Sequence, residues 1–147
     1  MIYKAILTFI GILVFSAVSV SGDSEADELM GIWLNHEKDA HIKIYKCGDE
    51  YCGKIVWLKN PEEDGAPKKD KHNPDDSLKD RPLKGLDVLS GFNFDSDKKW
   101  EDGTIYNPRD GKTYSCYLKI MDDGRLKVRG FVGISLIGKT NYWTRVE

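Results

Sequence analysis

Two cysteines five positions apart, Cys47 and Cys52 in KCGDEYC, are the residues best suited to chemistry in this chain. Paired thiols serve as metal ligands, as a redox couple or as a disulfide staple. A structural zinc site needs about four ligands, commonly two close pairs. Here one pair stands without a second; His41 takes the outward parity of its strand and His36 sits beside a turn. A redox couple prefers Cys-x-x-Cys at a helix start, which neither the spacing nor the strand-like context matches. The disulfide staple is the favoured reading, with two reduced thiols as its alternative. Chain-entropy reasoning assigns so short a loop roughly 2 kcal/mol. Cys116 lies on another strand and on the inward face, and is expected to be a buried free thiol.

Other reactive constellations are missing from the sequence. It contains no Gly-x-Ser-x-Gly elbow, His-Glu-x-x-His, P-loop or dinucleotide fingerprint. The carboxylates fall mostly in turns, where Asp is favoured for backbone reasons. No catalytic residue, metal or cofactor is therefore expected. Arg129, in LKVRGFVG, is predicted to face outward beside Tyr117 and Lys127. It reads as a solvated arginine, or else as an anchor for the long polar loop at 60–82 or for an anion. Four aromatics, Phe92, Phe94, Tyr106 and Tyr114, are candidates to line a ligand cavity; the alternative is that they fill the interior.

The elements that position these residues read as β almost throughout. Residues 1–22 are the exception: Lys4, an apolar run to about Val18, and small residues with Val20 and Gly22 at a cleavage-like site. That layout predicts a signal peptide, with a retained membrane anchor as its alternative; cleavage would leave 23–147 as one domain without a membrane span. Export permits disulfides. The charge balance is 22 basic against 24 acidic residues, which gives no electrostatic reason to expect nucleic acid or an anionic membrane surface as partner.

Eight runs of β-branched and aromatic residues follow, punctuated by Gly, Asp, Asn and Pro: GIWLNHE, HIKIYKC, CGKIVWLK, LDVLSGFNF, GTIYN, KTYSCYLKIM, RLKVRGFVG and KTNYWTRV. They predict an all-β fold, a single antiparallel barrel of about eight strands, since closure removes exposed edges. Residues 60–82 interrupt the pattern with a long polar segment, either a solvated excursion or a functional loop near a barrel mouth. If residues 48–51 form the first hairpin loop, Cys47 opposes Cys52, Tyr45 opposes Lys54, Ile44 opposes Ile55, and Ile42 opposes Trp57. Ile42, Ile44, Ile55 and Trp57 then share the core face. Around the Asp-Asp-Gly turn at 122–124, Ile120 opposes Leu126, Leu118 opposes Val128, Cys116 opposes Gly130 and Tyr114 opposes Val132.

The two chain ends carry Gly31-Ile32-Trp33 and Trp143-Thr144-Arg145. This resembles the calycin arrangement of lipocalins, in which an indole near the first strand closes one barrel end and is covered by an arginine from the last. Trp33 and Arg145 are the matching residues, and cation–π stacking gives the pairing a physical basis. The runs NPDDSLKDRPLKGL, GTIYNPRDGKTYSCYLKI and GRLKVRGFVGISLIGKTNYW resemble bacterial domain-of-unknown-function family 2147 from Gly31 to Arg145. Its cysteine pair at the first hairpin is matched by Cys47 and Cys52. The resemblance implies an exported, lipocalin-like or fatty-acid-binding-protein-like barrel. On fold analogy, the expectation is a small apolar or amphipathic ligand bound in the cell envelope, in the periplasm rather than outside the cell. A structural or interaction protein with a filled barrel is the alternative, and an enzyme a more distant one.

Overall fold

The computed structural model describes residues 24–146; the predicted signal peptide lies outside the described residues. The strands are β1 (Gly31–Leu34), β2 (Ala40–Cys47), β3 (Glu50–Leu58), β4 (Glu62–Glu63), β5 (Ala66–Pro67), β6 (Asp87–Ser96), β7 (Lys99–Asn107), β8 (Lys112–Ile120), β9 (Leu126–Phe131) and β10 (Gly138–Arg145). Eight of them close an antiparallel barrel in the order β1-β10-β9-β8-β7-β6-β3-β2. All eight match runs of alternating residues in the sequence. The small β4–β5 hairpin lies inside the 60–82 segment and carries too few residues to show a period.

The first hairpin corrects the predicted register. Gly48 and Asp49 make a two-residue turn, so Cys47 opposes Glu50, Tyr45 opposes Cys52 and Ile44 opposes Gly53. Gly48 supplies the positive φ, +66°, that such a tight turn favours at its first central position. The two cysteines are therefore diagonal rather than directly opposed. They still share the outer face, and a disulfide joins them across a Cα separation of 5.9 Å. Trp57 also departs from expectation. Ile42 pairs with Ile55 but His41 pairs with Trp57, so Val56 is an extra residue in a β-bulge. A bulge of one residue inverts the alternation beyond it. Trp57 is thereby turned outward, where it stacks on His41 at 4.4 Å between ring centroids.

The second hairpin follows the predicted register from Ile120–Leu126 to Cys116–Gly130, but its ladder ends at Ser115–Phe131. Val132 does not oppose Tyr114; it leaves the sheet and is exposed. Cys116 is buried and free. Burial pushes its thiol pKa up to about 12, which makes it unreactive at neutral pH.

One end of the barrel is solid. A 3-10 helix, Glu25–Leu29, crosses it and buries Leu29 completely. Two indoles fix this plug: Trp33 Nε1 donates to Leu29 O at 3.0 Å and Trp100 Nε1 to Ala26 O at 3.1 Å. Tyr51 donates its hydroxyl to Asp27 at 2.5 Å. Arg145 lies over the Trp33 ring at 4.2 Å and donates to the carbonyls of Glu28 and Met30. Trp33, Tyr51, Phe92, Trp100, Leu118 and Leu126 are all buried in the same core. Phe92 sits so close to β7 that a Cβ on Gly103 would fall 2.4 Å from its ring.

Candidate functional site

The other half of the barrel is open. A cavity of about 800 Å³ lies there, within the size range of pockets that hold small molecules. Its wall is apolar: Ile42, Ile55, Val88, Ile105, Val128 and Trp143 contribute. Gly130 on β9 contributes no side chain. A Cβ there would meet Ile105 Cγ2 at 3.6 Å and Tyr114 Cβ at 3.8 Å, ordinary contact distances. The contrast between crowded Gly103 and roomy Gly130 is the contrast between the two ends of the barrel.

The rim of the cavity is polar and comes from turns. Asn35 organises the β1–β2 turn, accepting from the amides of Asp39 and Ala40 and donating to the Asp39 carboxylate at 2.7 Å. Asp39 then accepts from Arg109 Nη2 at 2.6 Å, which links the β1–β2 and β7–β8 turns at the mouth. Burial pushes the Asp39 carboxyl upward, but the bonds from Asn35 and Arg109 outweigh it, and its pKa lies below the ordinary value. Tyr114 donates to Asp110 at 2.6 Å. Lys68 and Lys139 also reach the rim, and neither forms an ion pair among the described residues.

The four aromatic candidates part company. Tyr114 lines the cavity. Tyr106 contributes to its wall, yet the Tyr106 hydroxyl is committed elsewhere, to Asp70 at 2.5 Å. Phe92 and Phe94 do not reach the cavity. Phe92 fills the space that Gly103 leaves at the solid end, and Phe94 packs on Trp100 with ring centroids 5.4 Å apart. Sequence alternation places a residue inside the barrel but not at a given depth along it.

The 60–82 segment is a latched structure. Asp70 has no exposed surface and accepts from Tyr106, from Asn73 at 2.9 Å and from Arg81 at 2.9 Å. Burial raises the Asp70 pKa, but these three donors outweigh it and hold it below the ordinary value. Burial, followed by the bond to Asp70, raises the Tyr106 pKa. The segment presses against the β7–β8 turn at Gly111, where a Cβ would fall 1.9 Å from His72 O and φ is +69°. Only glycine permits that approach. Lys68 and Leu83, at the two ends of the latch, line the large cavity. A smaller cleft of about 280 Å³ lies beneath the segment, lined by Asn73, Arg81, Ser90, Thr104, Tyr106 and Thr113.

Arg129 is the anchor of the β9–β10 connection. Its Nε and Nη2 donate to Ser135 O at 3.0 and 2.8 Å, and Nη1 donates to Thr140 Oγ1 at 3.1 Å. Among the described residues, no group of three or more His, Cys, Asp or Glu is placed to hold a metal ion. No described helix is long and apolar enough to cross a membrane.

A barrel plugged at one end, with an indole under an arginine and a cavity at the other, has the lipocalin layout. Residues 31–145 match the family described as an uncharacterized protein conserved in bacteria (DUF2147). The chain belongs to this family. Its fold is similar to that of HP1028 from the human pathogen Helicobacter pylori, described as belonging to the lipocalin family. The TM-score is 0.73 at 26% identity, over 81% of this chain and 83% of that one. No curated protein matches the sequence. The DUF2147 chain is thus a lipocalin-like barrel, a fold compatible with binding small hydrophobic molecules.

The sequence placed Gly130 inward, opposite Cys116, but did not mark it as a gap, and it did not single out the Asp39–Arg109 link or the Asp70 latch. Ile42 and Ile55 were legible as inward-facing. The gap at Gly130 is signalled only by a glycine at an inward position of a strand that has no bulge there.

Proposed function

We propose that this DUF2147 protein is an exported carrier that binds one small amphipathic molecule, its apolar body in the barrel and its polar end at the rim. The apolar-walled cavity of about 800 Å³ is the observation that carries this reading. Tyr114 and the wall of Ile42, Ile55, Ile105, Val128 and Trp143 are the proposed contacts; Asp39, Arg109 and Lys139 frame the entrance. The solid end gives the cavity a rigid floor, so little ordering is left to be done on binding. The Cys47–Cys52 disulfide and the leader-like residues 1–22 support a periplasmic location.

A dansyl-labelled fatty acid tests the binding reading. Its fluorescence should rise and shift to the blue with one-to-one saturation. Gly130→Leu places a side chain between Ile105 and Tyr114 and should abolish that signal while leaving the folded circular dichroism spectrum intact. A folded Gly130→Leu protein that binds the probe as well as the wild type would refute the cavity as the site. N-terminal sequencing of the protein recovered from periplasm tests export; an intact Met1 there would refute cleavage.

A further inference from the structure

The β9–β10 connection, residues 132–137, exposes four large apolar side chains: Val132, Ile134, Leu136 and Ile137. Leu136 is 86% exposed and Val132 71%. Clusters of this kind on a soluble surface mark interaction sites rather than chance. The connection adjoins the cavity mouth, since Phe131, Val132, Ile137, Gly138 and Lys139 line that cavity. It is held in shape by the Arg129 bonds to Ser135 and by the Ile137 amide donating to Ile134 O at 3.1 Å.

Along its own stretch of chain the charge is one-sided, while Glu37, Asp39 and Asp110 lie elsewhere on the cavity rim. From Gly124 to Val146 the sequence has no acidic residue, and its basic residues are Arg125, Lys127, Arg129, Lys139 and Arg145. The whole chain, by contrast, has a net charge of −2. Lys139 directly follows the apolar tip, and Lys127 and Arg129 lie on the strand that leads into it. Arg125 and Arg145 are exceptions in position: Arg125 lies in the β8–β9 turn, at the far end of β9, bonded to Asp123, and Arg145 covers Trp33 at the solid end.

We propose that this hairpin tip docks on an anionic lipid bilayer, inserting Ile134 and Leu136 into the headgroup–acyl boundary and setting the cavity mouth against the membrane. Apolar insertion and attraction between basic residues and anionic lipid add together in such contacts. Acidic proteins as partners would explain the basic residues but not the uncharged apolar tip. A second copy of the chain would explain the tip but would bring like-charged hairpins together. The bilayer accounts for both features. The inference stands apart from the identity of the cavity's ligand.

Vesicle co-flotation with the full mature chain tests it, using phosphatidylcholine alone and phosphatidylcholine mixed with phosphatidylglycerol. The protein should float with the mixed vesicles, and less with the neutral ones. Ile134→Ser/Leu136→Ser should weaken vesicle binding by roughly tenfold or more. Neither residue lines the cavity, so binding of the dansyl probe in the absence of vesicles should not change. Absence of flotation with either vesicle, or equal flotation of the double variant, would overturn the proposal. So would a concentration-dependent dimer in sedimentation that the double variant abolishes, because the tip would then be a protein interface. Loss of probe binding by the wild type would count against the carrier reading and leave the vesicle result to stand alone.

Discussion

Two inward glycines, Gly103 and Gly130, give the sharpest test of a barrel that is solid at one end and hollow at the other. Alanine at Gly103 would put its Cβ 2.4 Å from Phe92 Cδ1 and Cε1 and 2.5 Å from Cγ. Favourable carbon–carbon contact begins near ~3.5 Å, so the ring must retreat by about an ångström. Phe92 is 1% exposed and shares its core with Trp33, Trp100 and Leu118, so it has no space to enter. Overpacking of this kind costs about 1–3 kcal/mol, and the upper end applies where a rigid ring is the obstacle. Replacing glycine also restricts the unfolded chain, which returns about 0.4–1 kcal/mol. The net expectation for Gly103→Ala is a loss of about 2 kcal/mol. At Gly130 the nearest atoms lie at 3.6 and 3.8 Å, so only the favourable part remains, a gain of about 0.5 kcal/mol. At about 4 °C per kcal/mol for a domain of this size, the variants should melt roughly 10 °C apart, with the wild type nearer the Gly130→Ala protein. Urea denaturation should show different midpoints at equal slopes. Equal destabilisation by the two substitutions would refute the division of the interior, as would a neutral Gly103→Ala.

Three further outcomes follow from the same geometry. Asp70 has a depressed pKa in the fold, so its contribution to stability is complete above the ordinary value of 3.8 and fades as pH falls through the lower folded value. Amide exchange in residues 60–82 should therefore accelerate in acid before the barrel strands do, whereas Asp70→Asn should expose the segment already at neutral pH and cost about 1–3 kcal/mol; a segment equally protected in both would sink the latch. Arg109→Ala cuts an exposed ion pair, so the folding free energy should change by less than about 1 kcal/mol, while stopped-flow release of the dansyl probe should quicken several-fold; unchanged release would show that the Asp39–Arg109 link does not govern the mouth. A thiol assay on unreduced protein should find no accessible thiol when folded and one, Cys116, after denaturation, and three after denaturation would remove the Cys47–Cys52 staple.

Much of the fold was legible in the residues because a barrel strand has a strict period of two. Ile42, Ile44 and Ile55 must face one way if Lys43 and Lys54 face the other, and the Cys116–Gly130 register follows from the Asp-Asp-Gly turn in the same manner. Trp57 escaped that logic because the bulge at Val56 has no local signature in the sequence. The β6–β7 turn escaped it too: Asp97 and Lys98 both adopt positive φ, +50° and +58°, without the Asn-Gly or Asp-Gly pair that usually announces such a turn.

The sequence by itself determined the eight barrel strands and the shared face of Cys47 and Cys52, since each depends on neighbours along the chain or across one hairpin; closure pairs β1 with β10, Trp33 opposite Arg145, and is decided by the chain ends meeting in space. Depth within the barrel is a different quantity. Phe92 and Tyr114 are both inward aromatics, yet one fills the solid end and the other borders a cavity. The difference lies in contacts distant in sequence: the plug of residues 25–29 and the bare backbone at Gly130. The Asp70 latch likewise joins a polar segment to Tyr106, 36 positions away. Periodicity reports which side of a strand a residue occupies; what stands opposite it in space is fixed only when the sheet closes.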